Sequence, residues 1–322
     1  MKISLTAVRV IEVVAMVLIV IPTVLSLVFL WCFSKKPIVA MCQPRLMSVL
    51  CFGTLMCVAG FLFYILPTLS DAASRFTIKM QVSCDLSVWL VYIGHVSVLA
   101  VLACKLFRVS KVMKIRRKQK SLPWHILGPF LLALLVAIGI LIANQKMYPF
   151  VYKTWENAGY CDGANSRGAV AFFYIRLGYC YALILTILFF AWKLRGVNQE
   201  IGESRRIFSL LCFLAIADGS VLAANIIIDQ TNGLGLVEKW WLHHMVVVLW
   251  HVTFSLSTIG ILIGPRMYYV WYERVNGRLP EGVQMYGTGQ VHVGAWASAK
   301  RPATREVDKG DDAAPAVSAA NA

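Results

Sequence analysis

The sequence predicts an all-α protein, a bundle of seven transmembrane helices with its N-terminus outside the cell and its C-terminus in the cytosol. Hydrophobic residues make up 59% of the chain and charged residues 15%, and the mean hydropathy is +0.68. An average soluble domain has about 45–50% apolar and about 25% charged residues. The excess is concentrated in seven runs of about twenty residues, the length that crosses a ~30 Å hydrocarbon layer as a helix. A lipid-facing backbone must satisfy its own polar groups, so the runs predict helices.

The seven runs follow one another along the chain, and each is ended by charge, proline or a polar cluster. In order, they cover Val10–Phe33, Leu46–Leu66, Leu86–Phe107, Leu122–Ala143, Ala169–Trp192, Ile207–Ile228 and Trp241–Gly264. The first run shows no small-residue cleavage site before Lys35 and Lys36, so it is interpreted as a retained signal-anchor helix.

The orientation follows from the basic residues between the runs, because Lys and Arg accumulate on the cytosolic side of a membrane. One alternating set of loops, together with the tail, carries 22 of the 31 basic residues, and the opposite set carries 8. Arg176 lies within the fifth run. The net charge of +15 therefore marks a cytosolic face that attracts anionic membrane lipids, rather than a nucleic-acid-binding surface.

Three segments are predicted: a short extracellular N-terminus (1–9), a seven-span domain (10–272) and a disordered cytosolic tail (273–322). The tail follows the aromatic cluster at 268–272, where the composition shifts to Gly, Ala, Pro and charged residues. The longest predicted outer loop, Asn144–Gly168, is too short to form a domain. No internal repeat is visible, which disfavours a transporter built from duplicated halves.

Only two of the nine cysteines fall on the predicted outer side, where disulfides form. These are Cys84 and Cys161, and we expect them to be bonded to each other; the alternative is two free outer thiols. The other seven lie in runs or on the cytosolic side and are interpreted as small apolar residues or lipidation sites: Cys32, Cys42, Cys51, Cys57, Cys104, Cys180 and Cys212.

The third run carries the most specific pattern in the chain. It contains Cys84, Trp89 and Gly94 and continues as the stretch Cys104–Val109, with Lys105 and Arg108 within it. This pattern resembles the third helix of class C G-protein-coupled receptors of the metabotropic GABA type.

Further regions resemble the same receptors in the same order. They are Ile38–Pro44 with Gly53 before and within the second run, Ala191–Trp192 with Arg195 and Val197 after the fifth, Glu203–Arg205 at the start of the sixth, and Pro265–Arg266 after the seventh. The resemblance covers about 230 residues. It implies a plasma-membrane receptor that signals to a heterotrimeric G protein, with homodimers or heterodimers as assemblies, and with no catalytic residues, cofactor or metal.

The resemblance also implies a switch at the cytosolic face, where these receptors hold the resting state with a lysine on helix three and an acid on helix six. Here those residues are Lys105 and Glu203, and the alternative is two charges that reach water separately. Arg108, Lys111 and Arg205 would face the G protein. The basic stretch from Lys105 to Lys120 is also a topological signal, and both interpretations can hold together.

The family's large extracellular agonist-binding domain has no counterpart in this sequence. The small-molecule ligand is therefore unknown. It could enter the bundle, a partner subunit could supply the sensing domain, or the sequence could be part of a longer chain.

Five polar residues lie within the predicted spans, where such residues usually face the bundle interior. They are His95, Asp218, Asn225, His244 and His251. Asp218 and Asn225 are seven residues apart, as are His244 and His251, so each pair shares a helix face. They are interpreted as a hydrogen-bonded network that packs and switches the helices, with a small-molecule or proton site as the sharper alternative.

Other functions stay open on the sequence alone. A transporter or channel would use Asp218, His95 and the histidines of the seventh run as an ion path. A signalling subunit would couple to a G protein only beside a chain with an ectodomain. A retinal pigment lacks an interior lysine in the seventh run, and an enzyme lacks a His-x-x-x-His or similar ligand set.

Overall fold

The computed structural model of the chain describes residues 5–40, 43–69, 77–115, 124–155, 158–163, 167–194, 203–231, 236–278, 283–286 and 290–293. Nine helices and two antiparallel hairpins lie within these ranges. In chain order they are α1 (Leu5–Cys32), α2 (Pro37–Ala40), α3 (Pro44–Leu69), α4 (Thr77–Ile115), α5 (Trp124–Met147), β1 (Phe150–Trp155), β2 (Ala158–Gly163), α6 (Arg167–Leu194), α7 (Glu203–Gln230), α8 (Leu236–Leu262), α9 (Gly264–Asn276), β3 (Val283–Tyr286) and β4 (Gln290–Val293).

Seven of the described helices are long and apolar enough to cross a membrane, which confirms the predicted number of spans. The apolar segments are Thr6–Cys32, Pro44–Ile65, Gln81–Phe107, Gly128–Met147, Ala171–Lys193, Arg206–Ile228 and Trp241–Leu262. Large apolar side chains such as Leu135 and Ile216 remain 65% and 69% exposed on the outside of the bundle. An apolar surface of this extent is rare on soluble proteins and is expected where lipid covers the helices.

The centre of the bundle is α4, whose apolar segment is 61% buried, more than that of any other span. It packs against α3, α5 and α6, while α8 packs against α7, α1 and α3. Val98, Leu99 and Leu102 of α4 are fully buried. Neighbouring helices therefore cover most of this span.

Glycines bring α3 and α4 into close contact. A Cβ atom added to Gly94 would lie 2.6 Å from the carbonyl oxygen of Gly53 and 2.7 Å from Sγ of Cys57. One added to Gly60 would lie 2.7 Å from the backbone nitrogen of Val91. Helices in lipid gain their association energy from such close backbone approach, because burial of apolar surface does not distinguish lipid from protein.

The two ends of the bundle differ in what lies across them. The end reached by the last residues of α3 and α5 carries the β1–β2 hairpin, which lies beside α3 and α4; we call it the hairpin end. The opposite end carries α2 and α9, and we call it the α9 end. Here Nζ of Lys36 forms a salt bridge of 2.9 Å with Oε2 of Glu273 in α9. α9 is followed by Gly277, whose φ of +65° lies in the left-handed region that favours glycine.

The element boundaries correct several expectations. α1 begins at Leu5, within the segment predicted as an extracellular N-terminus, and α4 is 39 residues long. Hydropathy marks only the apolar part of a helix, so the more polar turns beyond it were missed. α9 continues to Asn276, past the predicted start of the tail at 273, and β3 and β4 form a hairpin within that tail. Residues 279–282, 287–289 and 294–322, on which the prediction of disorder otherwise falls, lie outside the described residues.

Candidate functional site

A cavity of about 350 Å³ lies among α3, α4, α6, α7 and α8, in the half of the bundle nearer the hairpin end. Four of the five polar residues singled out in the sequence line it, namely His95, Asp218, Asn225 and His251. Apolar side chains make up most of the rest of its wall, among them Val88, Val91, Leu177, Val221, Leu222 and Val247. A mainly apolar cavity with a few converging polar groups is the usual form of a small-molecule site.

Asp218 is held at the wall of the cavity by an aromatic neighbour. The indole Nε1 of Trp250 donates a hydrogen bond of 2.6 Å to its Oδ1. The carboxylate is 4% exposed, which places it well inside the bundle rather than against lipid. Trp250 was not singled out in the sequence, because a tryptophan in an apolar run is indistinguishable from one that only packs.

Aromatic rings of α4 and α8 stack beside this hydrogen bond. The imidazole of His95 packs against the rings of both Trp250 and Phe254, with centroid distances of 5.3 Å and 4.6 Å. The rings of Trp250 and Phe254 are themselves 5.5 Å apart. The stack fixes the orientation of His95 and Trp250, and through Trp250 that of Asp218.

His251 is fixed by its own helix and by α3. Its Nδ1 donates a hydrogen bond of 2.8 Å to the carbonyl oxygen of Val247, and its ring stacks on Phe61 at 4.8 Å. A carbonyl oxygen can only accept, so Nδ1 carries the proton. In the neutral ring Nε2 is then an acceptor.

The buried polar atoms of the lining that have no hydrogen-bond partner among the described residues include Oη of Tyr92, Nε2 of His95 and Nε2 of His251. Tyr92 is 7% exposed, and His95 and His251 are each 4% exposed. Buried polar groups in proteins are nearly always satisfied, so unpaired atoms around a cavity indicate that its contents supply the partners.

His244 is the predicted polar residue that does not line the cavity. Its Nε2 contacts Oε1 of Glu12, and its Nδ1 lies 3.3 Å from Oη of Tyr64, which does line the cavity. Glu12 was not singled out in the sequence, although a lone acid in the first apolar run was a visible signal. A second polar contact joins α7 to α8, besides that of Trp250 with Asp218. In it, Oδ1 of Asn225 accepts a hydrogen bond of 2.8 Å from Nδ1 of His243.

Arg176 of α6 also lines the cavity. The sequence places it inside the fifth run, where it belongs to neither set of loops, and it was not singled out as a candidate polar residue. The cost of placing a guanidinium at this depth would have justified adding it to the candidate polar set.

The predicted switch residues lie at the α9 end. Lys105 of α4 is 3% exposed, and α7 begins at Glu203. The side chains of Glu203, Arg108, Lys111 and Arg205 lie outside the described residues. The contact between Lys105 and Glu203 and the surface assigned to the G protein therefore stay predictions.

The cysteine pair lies at the hairpin end. Cys84 is fully buried in α4 and is not among the free thiols of the described residues, which are Cys32, Cys51, Cys57, Cys104, Cys180 and Cys212. Cys161 lies in β2, opposite Tyr152 of β1, but its side chain is outside the described residues. Their bond stays a prediction.

The described residues hold no group of three or more His, Cys, Asp or Glu side chains arranged to bind a metal ion. The cavity combines a buried carboxylate, two imidazoles and a guanidinium with apolar walls. Such a set can bind and orient a small molecule.

Comparisons with known proteins cover the whole bundle. Residues 1–266 match the family model described as the 7 transmembrane sweet-taste receptor of 3 GCPR. The chain is 26% identical over 252 residues to the metabotropic glutamate receptor-like protein H of Dictyostelium discoideum. That match takes in 71% of this chain and 31% of the relative, so the chain spans about a third of the relative's length.

Proposed function

Because the chain belongs to the seven-transmembrane family of class 3, or class C, G-protein-coupled receptors, we propose that it transmits a signal across the plasma membrane to a heterotrimeric G protein. The observation that carries this proposal is the family match over residues 1–266, which contains all seven spans.

The orientation is part of the proposal. The loops and tail at the α9 end carry most of the basic residues, and such residues accumulate in the cytosol. The α9 end then faces the G protein, and the hairpin end faces outward. The aromatic residues of α9, with Tyr268 and Trp271 half-exposed or more, suit the membrane interface on the inner side.

The inner ends of α4 and α7 are proposed as the coupling surface, with Arg108, Lys111 and Arg205 facing the G protein. Lys105 supports a switch between these helices, because a lysine that is 3% exposed requires an anionic or hydrogen-bonding partner. Glu203 opens α7 at the same end of the bundle. We propose that the two form the contact that stabilises the resting state.

The metabotropic GABA-receptor type is favoured within the family. The support is the stretch Cys104–Val109 on α4, the sequence Glu203–Arg205 at the start of α7, and Gly53 against Gly94 in the contact of α3 with α4. The Dictyostelium relative is named for its likeness to metabotropic glutamate receptors, and that name describes the relative and not this chain. A homodimer or a heterodimer is compatible with this proposal.

The cavity is proposed as the place where a small molecule acts on the bundle. It joins α4, α6, α7 and α8, and the hydrogen bond from Trp250 to Asp218 links α8 to α7 across it. A ligand that binds one arrangement of these helices more tightly than another would shift their equilibrium.

Nucleotide exchange on a panel of purified G proteins tests the proposal, with the chain reconstituted in nanodiscs. We expect exchange above that of empty nanodiscs for at least one G protein. Val221→Trp, which fills the cavity, should change the basal rate. Ile227→Trp on the same helix is the matched control, because Ile227 is 64% exposed toward lipid. A folded chain that promotes no exchange on any G protein would contradict autonomous coupling.

A further inference from the structure

Asp218 is an acidic residue buried within the bundle, at the wall of the cavity. Its carboxylate is 4% exposed, and its hydrogen-bond donor is the neutral indole of Trp250. Within the described part of the chain, no lysine or arginine forms a salt bridge with it. A buried carboxylate without a cationic partner is costly, and a bound cation that donates hydrogen bonds to it offsets part of that cost.

The second acceptor at the cavity is His251. The hydrogen bond from its Nδ1 to Val247 leaves Nε2 of the neutral ring as a lone-pair acceptor, and this atom has no partner among the described residues. Asp218 and His251 both line the cavity. A group that donates hydrogen bonds can satisfy both, whereas a group that only accepts satisfies neither.

The aromatic wall favours a positive charge as well. The rings of Trp250 and His95 stack at 5.3 Å beside Asp218, and Tyr92 lines the same cavity. A cation near the face of Trp or Tyr is attracted by the ring quadrupole. Arg176 is the opposing charge of the lining, and it has interactions of its own. Arg176 lies on α6, whereas Asp218 lies on α7 and Trp250, whose indole orients Asp218, lies on α8.

From these contacts we propose that the cavity binds a small molecule with an ammonium group at one end and an apolar body at the other. The ammonium group donates to Asp218 and to Nε2 of His251. The apolar body packs on side chains such as Val91, Leu177 and Leu222. This rests on the proposed function only in assigning the cavity to ligand binding. A cavity of about 350 Å³ falls at the small end of small-molecule sites.

Three probes with one apolar body and different polar ends test the chemistry: 2-phenylethylamine, 2-phenylethanol and 3-phenylpropanoate. Saturation-transfer NMR on the full chain in nanodiscs measures their binding. We expect the ammonium compound to bind more tightly than the alcohol and the carboxylate to be weakest. A carboxylate or alcohol that binds as tightly as the amine, or no binding by the amine, overturns the proposal.

Substitutions locate the binding. Asp218→Asn keeps an acceptor for the indole of Trp250 but removes the charge, and it should weaken amine binding at least about tenfold while leaving alcohol binding nearly unchanged. Glu273→Gln is the matched control, since it also removes one negative charge but lies in the Lys36 salt bridge of α9. His251→Phe keeps the ring on Phe61 and removes Nε2, so it should weaken amine binding even if the Asp218 variant fails to fold. Unchanged amine affinity in His251→Phe or in a folded Asp218→Asn overturns the assignment.

The ligand chemistry and the proposed function fail separately. Binding is measured without a G protein, and exchange is measured without an amine. Amine binding that depends on Asp218, in a chain that promotes no exchange, would uphold the cation site and contradict the receptor proposal. Nucleotide exchange in a chain that binds no amine would uphold the receptor proposal and contradict the cation site.

Discussion

The carboxylate of Glu12 in α1 contacts the imidazole of His244 in α8 inside the bundle. The two side chains are 0% and 1% exposed, although 232 residues separate them in the chain. The other ring nitrogen of His244 lies 3.3 Å from Oη of Tyr64, whose ring stacks on the imidazole at 5.2 Å. Tyr64 lines the cavity, so polar contacts connect the first span with the cavity wall.

We predict that Glu12→Ala strongly destabilises the bundle. Removal of the Glu12 carboxylate leaves the buried imidazole of His244 without this hydrogen-bond partner, and an unsatisfied buried polar group costs about 1–3 kcal/mol. Glu12→Gln keeps a hydrogen-bond acceptor and should cost less. Thermal unfolding in nanodiscs can be followed with a thiol-reactive dye, since Cys51 and Cys57 are free and buried until the helices separate.

The control for that prediction is Glu273→Ala. Its salt bridge with Lys36 has side chains 28% and 41% exposed, and such pairs contribute about 0–1 kcal/mol. Equal losses of thermal stability in Glu12→Ala and Glu273→Ala would contradict a structural role for the buried pair.

The second prediction concerns the close contact between α3 and α4 at Gly94. In Gly94→Ala the new methyl group would lie 2.6 Å from the carbonyl oxygen of Gly53, so the helices must separate along their length. We expect a large loss of folded protein in detergent, measured by size-exclusion chromatography. Gly139→Ala is the matched control, because nothing lies within 4 Å of the added atom on α5. Replacing glycine by alanine in a helix normally stabilises it through the unfolded chain. Loss of folded protein in both variants alike would therefore contradict a specific role for the α3–α4 contact.

A third prediction concerns the cysteines of the hairpin end. We expect unreduced peptide mapping by mass spectrometry to find Cys84 linked to Cys161. Closing this 77-residue interval would stabilise the fold by about 4 kcal/mol in the chain-entropy model. Cys32, which is free and exposed, serves as the internal control for thiol labelling. Recovery of both Cys84 and Cys161 as labelled thiols in correctly trafficked protein would rule the bond out.

The spans were predictable because lipid imposes one requirement on every residue of a helix, so length and apolarity suffice to find them. The seven-residue spacing of Asp218 and Asn225 also predicted a shared face, and both residues line the cavity. These properties depend on a single helix. They can be read from one stretch of sequence without knowing its neighbours.

Properties that depend on which helices meet could not be read in this way. His244 and His251 share the same spacing, yet His251 lines the cavity and His244 contacts Glu12, because α1 packs against α8. The donation from Trp250 to Asp218 likewise requires the arrangement of α7 against α8. The β1–β2 hairpin was missed because its strands are six residues each, too short for a periodic signal to stand out.

The last prediction concerns the proposed switch between α4 and α7. If the contact of Lys105 with Glu203 stabilises the resting arrangement more than the active one, its removal shifts the population of the two states. A difference of about 1.4 kcal/mol changes their ratio tenfold. Lys105→Ala and Glu203→Ala should therefore raise ligand-independent nucleotide exchange, measured with a G protein to which the parent chain couples.

The charge-exchanged variant, with Lys105→Glu and Glu203→Lys together, is the sharper test. Each single change also alters solvation and the neighbouring coupling surface, whereas the exchange restores the attraction with the charges reversed. We expect the charge-exchanged variant to have a rate of ligand-independent nucleotide exchange between that of the single variants and that of the parent. Lys36→Ala is the control for a lysine lost at the same end of the bundle, since Lys36 pairs with Glu273 instead. If both single variants are well expressed and promote no more exchange than the parent, Lys105 acts only as one of the basic residues that set the topology.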